Sequence, residues 1–244
     1  LDPKDFADVD LIMGGSPCQG FSFAGKQLAF DDPRSALFFE FIRLLKDIKP
    51  KYFLLENVRM KKEFLDIISQ EVSKCYPEIA FGIEPVLINS ALVSAQSRQR
   101  YYWTNMPNIK QPEDRGIVQR DILETDVNDE LSEEAKDYMK RSSDKWSGGK
   151  TRKDIYIKHE SEKGMCLTAN MHKGVPYGVI AVDKNGHDTS KDPTWRKLTP
   201  LECERLQTVP DNYTNHVSNT QRYKMLGNGW TVEVIKHILQ SIEA

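Results

Sequence analysis

A chain of 244 residues, 39% hydrophobic and 29% charged at a net charge of -2, is long enough for one large domain or a domain with a sizeable insertion, and its ordinary 14 Gly and 12 Pro exclude fibrous and disordered classes. No apolar run approaches the roughly 18 residues of a membrane span, and the opening LDPKDFADVD has neither the basic start nor the apolar stretch of a signal peptide. Cys18, Cys75, Cys166 and Cys203 lie too far apart for a C-x-x-C metal pair or a disulfide framework, so the expectation is a soluble intracellular protein with reduced thiols.

Along the chain, Asp10-Leu-Ile-Met-Gly-Gly predicts a short buried strand and a turn, followed by a loop through Pro33. From Ser35 to Ile48 the apolar residues Leu37, Phe38, Phe41, Leu44, Leu45 and Ile48 recur at steps of three and four, the signature of a helix, and Pro50 ends the pattern. Tyr52 to Glu56 is a continuous apolar run closed by a carboxylate, as in a strand covered on both faces. A second helix is predicted over Lys61 to Lys74 and a third strand over Ile83 to Ile88. Strand, helix, strand, helix, strand at these lengths predicts an α/β layer with a mostly parallel sheet.

Beyond Asn105 the periodicity weakens, and a second, smaller and irregular domain is predicted over 106–195, with Ser142 to Lys153 as a flexible stretch. The charge is uneven here. Residues 126–139 hold 1 basic and 6 acidic side chains, read as a solvated helix, whereas 140–200 hold 13 basic and 7 acidic, a net of +6. By composition alone that basic block is solvated surface. Thr199-Pro-Leu-Glu202 predicts a capped helix start, Ser218 and Gln221 predict another, with that helix ending at Gly227, and an amphipathic helix follows through Val234, Ile235, Ile238, Leu239 and Ile242. The division predicted is 1–105, 106–195 and 196–244.

Three short elements carry chemistry. Cys18 lies in Gly14-Gly-Ser-Pro-Cys-Gln-Gly-Phe-Ser22, directly after a strand, where ligands of open α/β sheets bind. A positive neighbour there would make it a reactive thiolate; a small buried thiol is the plainer reading. Glu56-Asn57-Val58 places a carboxylate at a second strand end, and Gln96-x-Arg98-x-Arg100 places two arginines on alternate residues, hence on one face of a strand. Singly these are a solvated strand end and an exposed cationic edge.

Together, in this order and spacing, they resemble the carbon-5 cytosine-specific DNA methyltransferases. Arg196-x-Leu-Thr-Pro-x-Glu202-x-x-Arg205-Leu-Gln-x-x-Pro210 is similar to the motif after that family's target-recognition region, and Gly227-Asn228-Gly-Trp230-Thr-Val to its last cofactor-side motif. Pro-Cys-Gln and Arg-Leu-Gln resemble bacterial and phage members, implying a cytoplasmic protein; Phe38-Phe-Glu-Phe and the Arg-Tyr-Tyr-Trp103 run are similar to the animal de novo branch.

The resemblance implies a Rossmann-like S-adenosylmethionine-dependent sheet with a smaller target-recognition domain at 106–195, and double-stranded DNA as substrate. It implies Cys18 as the nucleophile, Glu56 as the acid with a partly raised pKa, Arg100 on the ring oxygen of the base, and Arg98 supporting the loop and a phosphate, with Gln96 orienting both. Gln19 to Arg34 would be a lid, with Pro17 and Gln19 beside the base and Ser22, Lys26 and Arg34 at the DNA backbone. Lys150, Arg152, Lys153 and Lys173 would be phosphate contacts, and Leu37, Asn228 and Trp230 would complete the cofactor pocket; no metal is implied. Family members also carry a Gly-containing strand-turn-helix for the cofactor ahead of the nucleophile, whereas only 17 residues precede Cys18. The expectation is therefore an N-terminally truncated sheet whose cofactor binding depends on a further segment or a partner subunit. The alternative function is a non-catalytic DNA-binding or regulatory half of a split methyltransferase.

Overall fold

In the computed structural model, which describes residues 2–6, 8–15, 36–125, 127, 129–141, 149–183 and 193–242, β1 (Leu11–Gly15) and β2 (Tyr52–Val58) pair in parallel with Gly15 opposite Glu56. Helix α1 (Ala36–Ile48) crosses between them and lays Phe38, Phe41, Ile42 and Leu45 on the sheet. The approach is closest at Gly14, where an added Cβ would stand 2.8 Å from the Phe41 ring; glycine leaves the room the helix needs. Helix α2 (Lys62–Ser73) buries Ile68 and Val72 beside Phe53, Leu55 and Trp103, and the Trp103 indole N–H donates to Ser69 Oγ at 2.9 Å.

The sheet order is β1-β2-β4-β3, with β3 at Val86–Asn89 and β4 at Gln99–Thr104. The three strands expected from the sequence, β1, β2 and β3, run in the same direction, and the fourth strand, β4, sits between β2 and β3 and is antiparallel to both. Chain length explains the reversal. Residues 90–98 alone join β3 to β4, fewer than the dozen or more that a parallel crossover needs, so the chain turns back and fills the gap that the longer β2–α2–β3 connection leaves.

Leu1–Asn89, Gln99–Gln111 and Ile238–Ala244 make one compact unit; Ser90–Arg98 and Pro112–His237 make the second. This division cuts the chain elsewhere than at 105 and 195, and residues 196–237 fall with the second unit. Within it, β5 (Lys158–His159), β6 (Val179–Val182) and β7 (Thr194–Lys197) form a three-stranded sheet. The region is thus more regular than its sequence, since strands of two to four residues are too short to show a period. The acidic run leads into α3 (Glu133–Lys140), capped by Ser132. Arg152 and Lys153, expected in a flexible stretch, lie on α4 (Arg152–Tyr156), where Thr151 and Asp154 close a capping box.

The C-terminal helices form where their caps predict. Thr199 caps α5 (Pro200–Leu206) with Glu202 completing the box, and Ser218 caps α6 (Asn219–Asn228). Helix α6 ends one residue beyond Gly227, with Gly229 as its cap; α7 is Val232–Leu239. Among the described residues no helix is long and apolar enough to cross a membrane, and no group of three or more His, Cys, Asp or Glu is placed to hold a metal ion.

Candidate active site

Glu56 ends the buried run of β2 and is itself buried. Its register partner on β4 is Tyr102, so Arg100, two residues along β4, is its diagonal neighbour on the same face. The geometry closes on that diagonal. Arg100 Nε meets Glu56 Oε1 at 2.8 Å, with 14% and 11% of the two side chains exposed, and an Arg100 Nη donates to the Gln99 carbonyl at 2.8 Å. The two functional groups are thus ordered and mostly desolvated, yet still reachable. Arg59, which sequence reasoning passed over, follows β2 by one residue and donates to Gln99 Oε1 at 2.9 Å, adding an exposed cation to the same unit. Its only sequence signal is its place directly after Glu56-Asn57-Val58.

On the other neighbour of β2, Gly15 stands opposite Glu56 and leads into Ser16-Pro17-Cys18. Cys18, Pro17, Gln19, Ser22, Lys26 and Arg34 lie outside the described residues. Of the other thiols, Cys75 and Cys203 are buried, and burial pushes both up from the ordinary cysteine range, Cys203 the further, which disfavours the thiolate a nucleophile requires. Cys166 is half-buried and accepts from an Arg98 Nη at 3.2 Å.

The two arginines of Gln96-x-Arg98-x-Arg100 do not share a strand face. β4 begins at Gln99, and Arg98 is a buried residue of the second unit. Its guanidinium donates to the carbonyls of Leu167 at 2.9 Å, Gly229 at 2.7 Å and Gly227 at 3.4 Å. Gln96 is wholly buried, its Nε2 donating to the Leu206 carbonyl at 2.7 Å and to Gln207 Oε1 at 2.9 Å, and its Oε1 accepting from the Leu167 N–H at 3.2 Å. That geometry anchors the chain, with the polar end of each side chain bonded inside the fold.

The Arg196 to Gln207 motif is likewise internal. Arg196 clasps Glu202 with two bonds, 2.9 and 2.6 Å, both residues buried. Arg205 donates to the Ile122 and Leu123 carbonyls and pairs with Asp211. Among the described residues no buried side-chain nitrogen or oxygen lacks a hydrogen-bond partner.

Of the remaining predicted contacts, Lys150, Lys153 and Lys173 are exposed, and Arg152 is half-buried with its guanidinium 4.3 Å from the centre of the Tyr138 ring. Lys153 Nζ lies 5.4 Å from the Trp195 ring centre. Leu37, in the first unit, is 55% exposed at the start of α1. Asn228 is exposed and Trp230 half-buried where α6 gives way to α7 in the second unit.

The sequence profile described as C-5 cytosine-specific DNA methylase matches residues 1–244. The chain belongs to that family. It is 33% identical over 263 aligned residues to type II methyltransferase M1.ScrFI of Lactococcus lactis subsp. cremoris, covering 99% of this chain and 64% of that protein. It is 29% identical over 264 residues to type II methyltransferase M.SsoII of Shigella sonnei, covering 99% and 66%. The chain therefore spans about two thirds of the length of these curated relatives. Its fold matches that of a methyltransferase of Entamoeba histolytica with a TM-score of 0.71 at 19% identity, over 99% of this chain and 80% of that one. The α/β class and the methyltransferase sheet are thereby established for this member of the C-5 methylase family.

Proposed function

We propose that the protein is a DNA (cytosine-5-)-methyltransferase that uses S-adenosylmethionine to methylate carbon 5 of a cytosine swung out of double-stranded DNA, through a covalent adduct with Cys18. The observation that carries this reading is the Glu56–Arg100 pair at 2.8 Å, set on the strand that holds Gly15 in register with Glu56, in a chain matched to the family from end to end.

The chemistry follows from what cytosine lacks. Its carbon 5 is a poor nucleophile, and addition of the Cys18 thiolate to carbon 6 pushes an electron pair into the ring. Glu56 holds a proton against ring nitrogen 3 and the exocyclic amine, where charge then accumulates. Arg100 binds the ring oxygen and keeps Glu56 aimed. When bound, S-adenosylmethionine supplies an electrophilic methyl group. Loss of the carbon 5 proton and departure of the Cys18 thiolate then restore the aromatic ring. Extruding the base from the duplex costs a few kcal/mol, offset by these contacts.

The residues proposed for the cofactor are, in the second unit, Asn228 with an exposed amide and Trp230 with part of an indole face and, in the first unit, the exposed Leu37. Lys150, Lys153 and Lys173 are the phosphate contacts of a target-recognition region within the second unit, with Pro17, Gln19, Ser22, Lys26 and Arg34 serving the base and its strand. The test is DNA carrying 5-fluorocytosine with the full-length protein and S-adenosylmethionine: fluorine blocks the final elimination, and the adduct is expected at Cys18 alone. An adduct at Cys75, Cys166 or Cys203, or an undiminished yield with Cys18→Ala, overturns the assignment.

A further inference from the structure

The last carbonyls of α6 have no partner within the helix and carry its negative end. The second unit meets them with two side chains from elsewhere in the chain. Arg98 donates to Gly227 and Gly229, and Gln207 Nε2 donates to Leu226 at 2.6 Å and to the same Gly229 oxygen at 3.2 Å. Gln207 also grips the far side of the turn. Its Oε1 accepts from Thr231 Oγ1 at 2.9 Å, its carbonyl accepts from the Val232 N–H at 3.0 Å, and Thr208 Oγ1 accepts from the Glu233 N–H at 2.9 Å. Trp230 is bracketed between two fixed points, Gly229 and Thr231, with Asn228 just before them.

The same clamp holds a second segment. Gln96 and Arg98 take the N–H and carbonyl of Leu167, and an added Cβ at Gly227 would stand 2.1 Å from the carbonyl carbon of Thr168. α6 thus sits directly on the residues that open the one-turn helix Ala169–Lys173, which ends in the exposed Lys173.

We infer that Arg98 and Gln207 are positioning residues that set affinity for S-adenosylmethionine by holding the 227–231 turn, and that Arg98 is not a phosphate contact; the inference rests on the cofactor reading above. A guanidinium 3% exposed whose donors serve three carbonyls is bonded inside the fold. By contrast, the turn it fixes carries the two side chains of this unit proposed for the cofactor.

Arg98→Lys keeps the charge and removes the fork, and it is tested in the full-length protein. Calorimetry is expected to show S-adenosylmethionine bound about tenfold more weakly, the loss of one charge-assisted hydrogen bond, with KM for the cofactor raised and kcat at saturation little changed. DNA affinity and its salt slope stay as in the wild type. Hydrogen exchange without cofactor is expected to quicken at the amides of 226–233 and not in α1 or α2. Thr231→Val, which removes only the hydroxyl bracket, is the second variant, with a smaller effect in the same direction. Unchanged cofactor affinity with a salt slope lowered by about one overturns the inference in favour of a phosphate contact, and unchanged exchange at 226–233 overturns the clamp. A wild type that binds no S-adenosylmethionine overturns the cofactor reading instead, a result distinguishable from wild-type binding that Arg98→Lys leaves intact.

Discussion

Two arginine–glutamate pairs, one in each unit, have the same chemistry and opposite settings. Arg196 and Glu202 are 3% and 0% exposed and fully engaged: the carboxylate accepts both guanidinium nitrogens and the N–H groups of Thr199 and Glu124. Glu56 and Arg100 meet at 2.8 Å and keep 11% and 14% of their side chains exposed. The closed pair has no face to offer a substrate and serves to hold β7 against α5. The more exposed pair is placed by strand register, Arg100 standing on the diagonal from Glu56. Exposure, rather than residue type, separates the structural pair from the candidate catalytic one.

The sharpest way to break this contrast is Arg196→Ala. It leaves Glu202 buried without its countercharge, and removal of one partner of such a pair costs about 3–5 kcal/mol. The urea midpoint is expected to fall accordingly, and activity with it. A loss below about 1 kcal/mol, the scale of an exposed pair, would show that the burial contrast is not the one that matters. Glu56→Gln tests the other member: it keeps the shape and removes the acid, so turnover is expected to drop by roughly 10² to 10⁴ while the urea midpoint stays near that of the wild type. Near-normal turnover would return Glu56 to the role of a strand-end residue.

Lys153 occupies a third setting, a cation beside the Trp195 ring. Lys153→Ala is expected to weaken DNA binding without changing sequence preference and to lower the salt slope by about one; filter binding across a salt series reads both. The smallest effect belongs to the outermost pair, Arg205 with Asp211, 31% and 48% exposed. The hydrogen bond from Arg205 holds Asp211 below the usual aspartate range, so its contribution to stability is complete above an unfolded value of about 3.9. That contribution is lost as pH falls through the lower folded value. Asp211→Asn is therefore expected to flatten a small part of the acid limb of a stability–pH curve and to leave the curve unchanged near neutrality.

Much of the fold was legible because its signals are local. The three-and-four spacing from Leu37 to Ile48, the apolar run ending in Glu56 and the Thr199–Glu202 capping box each depend on residues within a turn or two. The motifs that point to the family are local as well. The antiparallel insertion of β4 was not legible, since it depends on what lies beside a strand in space and on the shortness of the 90–98 connection. The same holds for Gln96 and Arg98. Their spacing resembles a substrate-facing motif, yet their partners are at 166–167, 206–207 and 227–229, more than sixty residues along the chain. Sequence alone determined which residues carry polar chemistry and where the helices begin. Tertiary structure alone decided which of those polar groups are consumed in holding the backbone and which stay open, because a hydrogen bond to a distant carbonyl leaves no periodic trace in the chain that makes it.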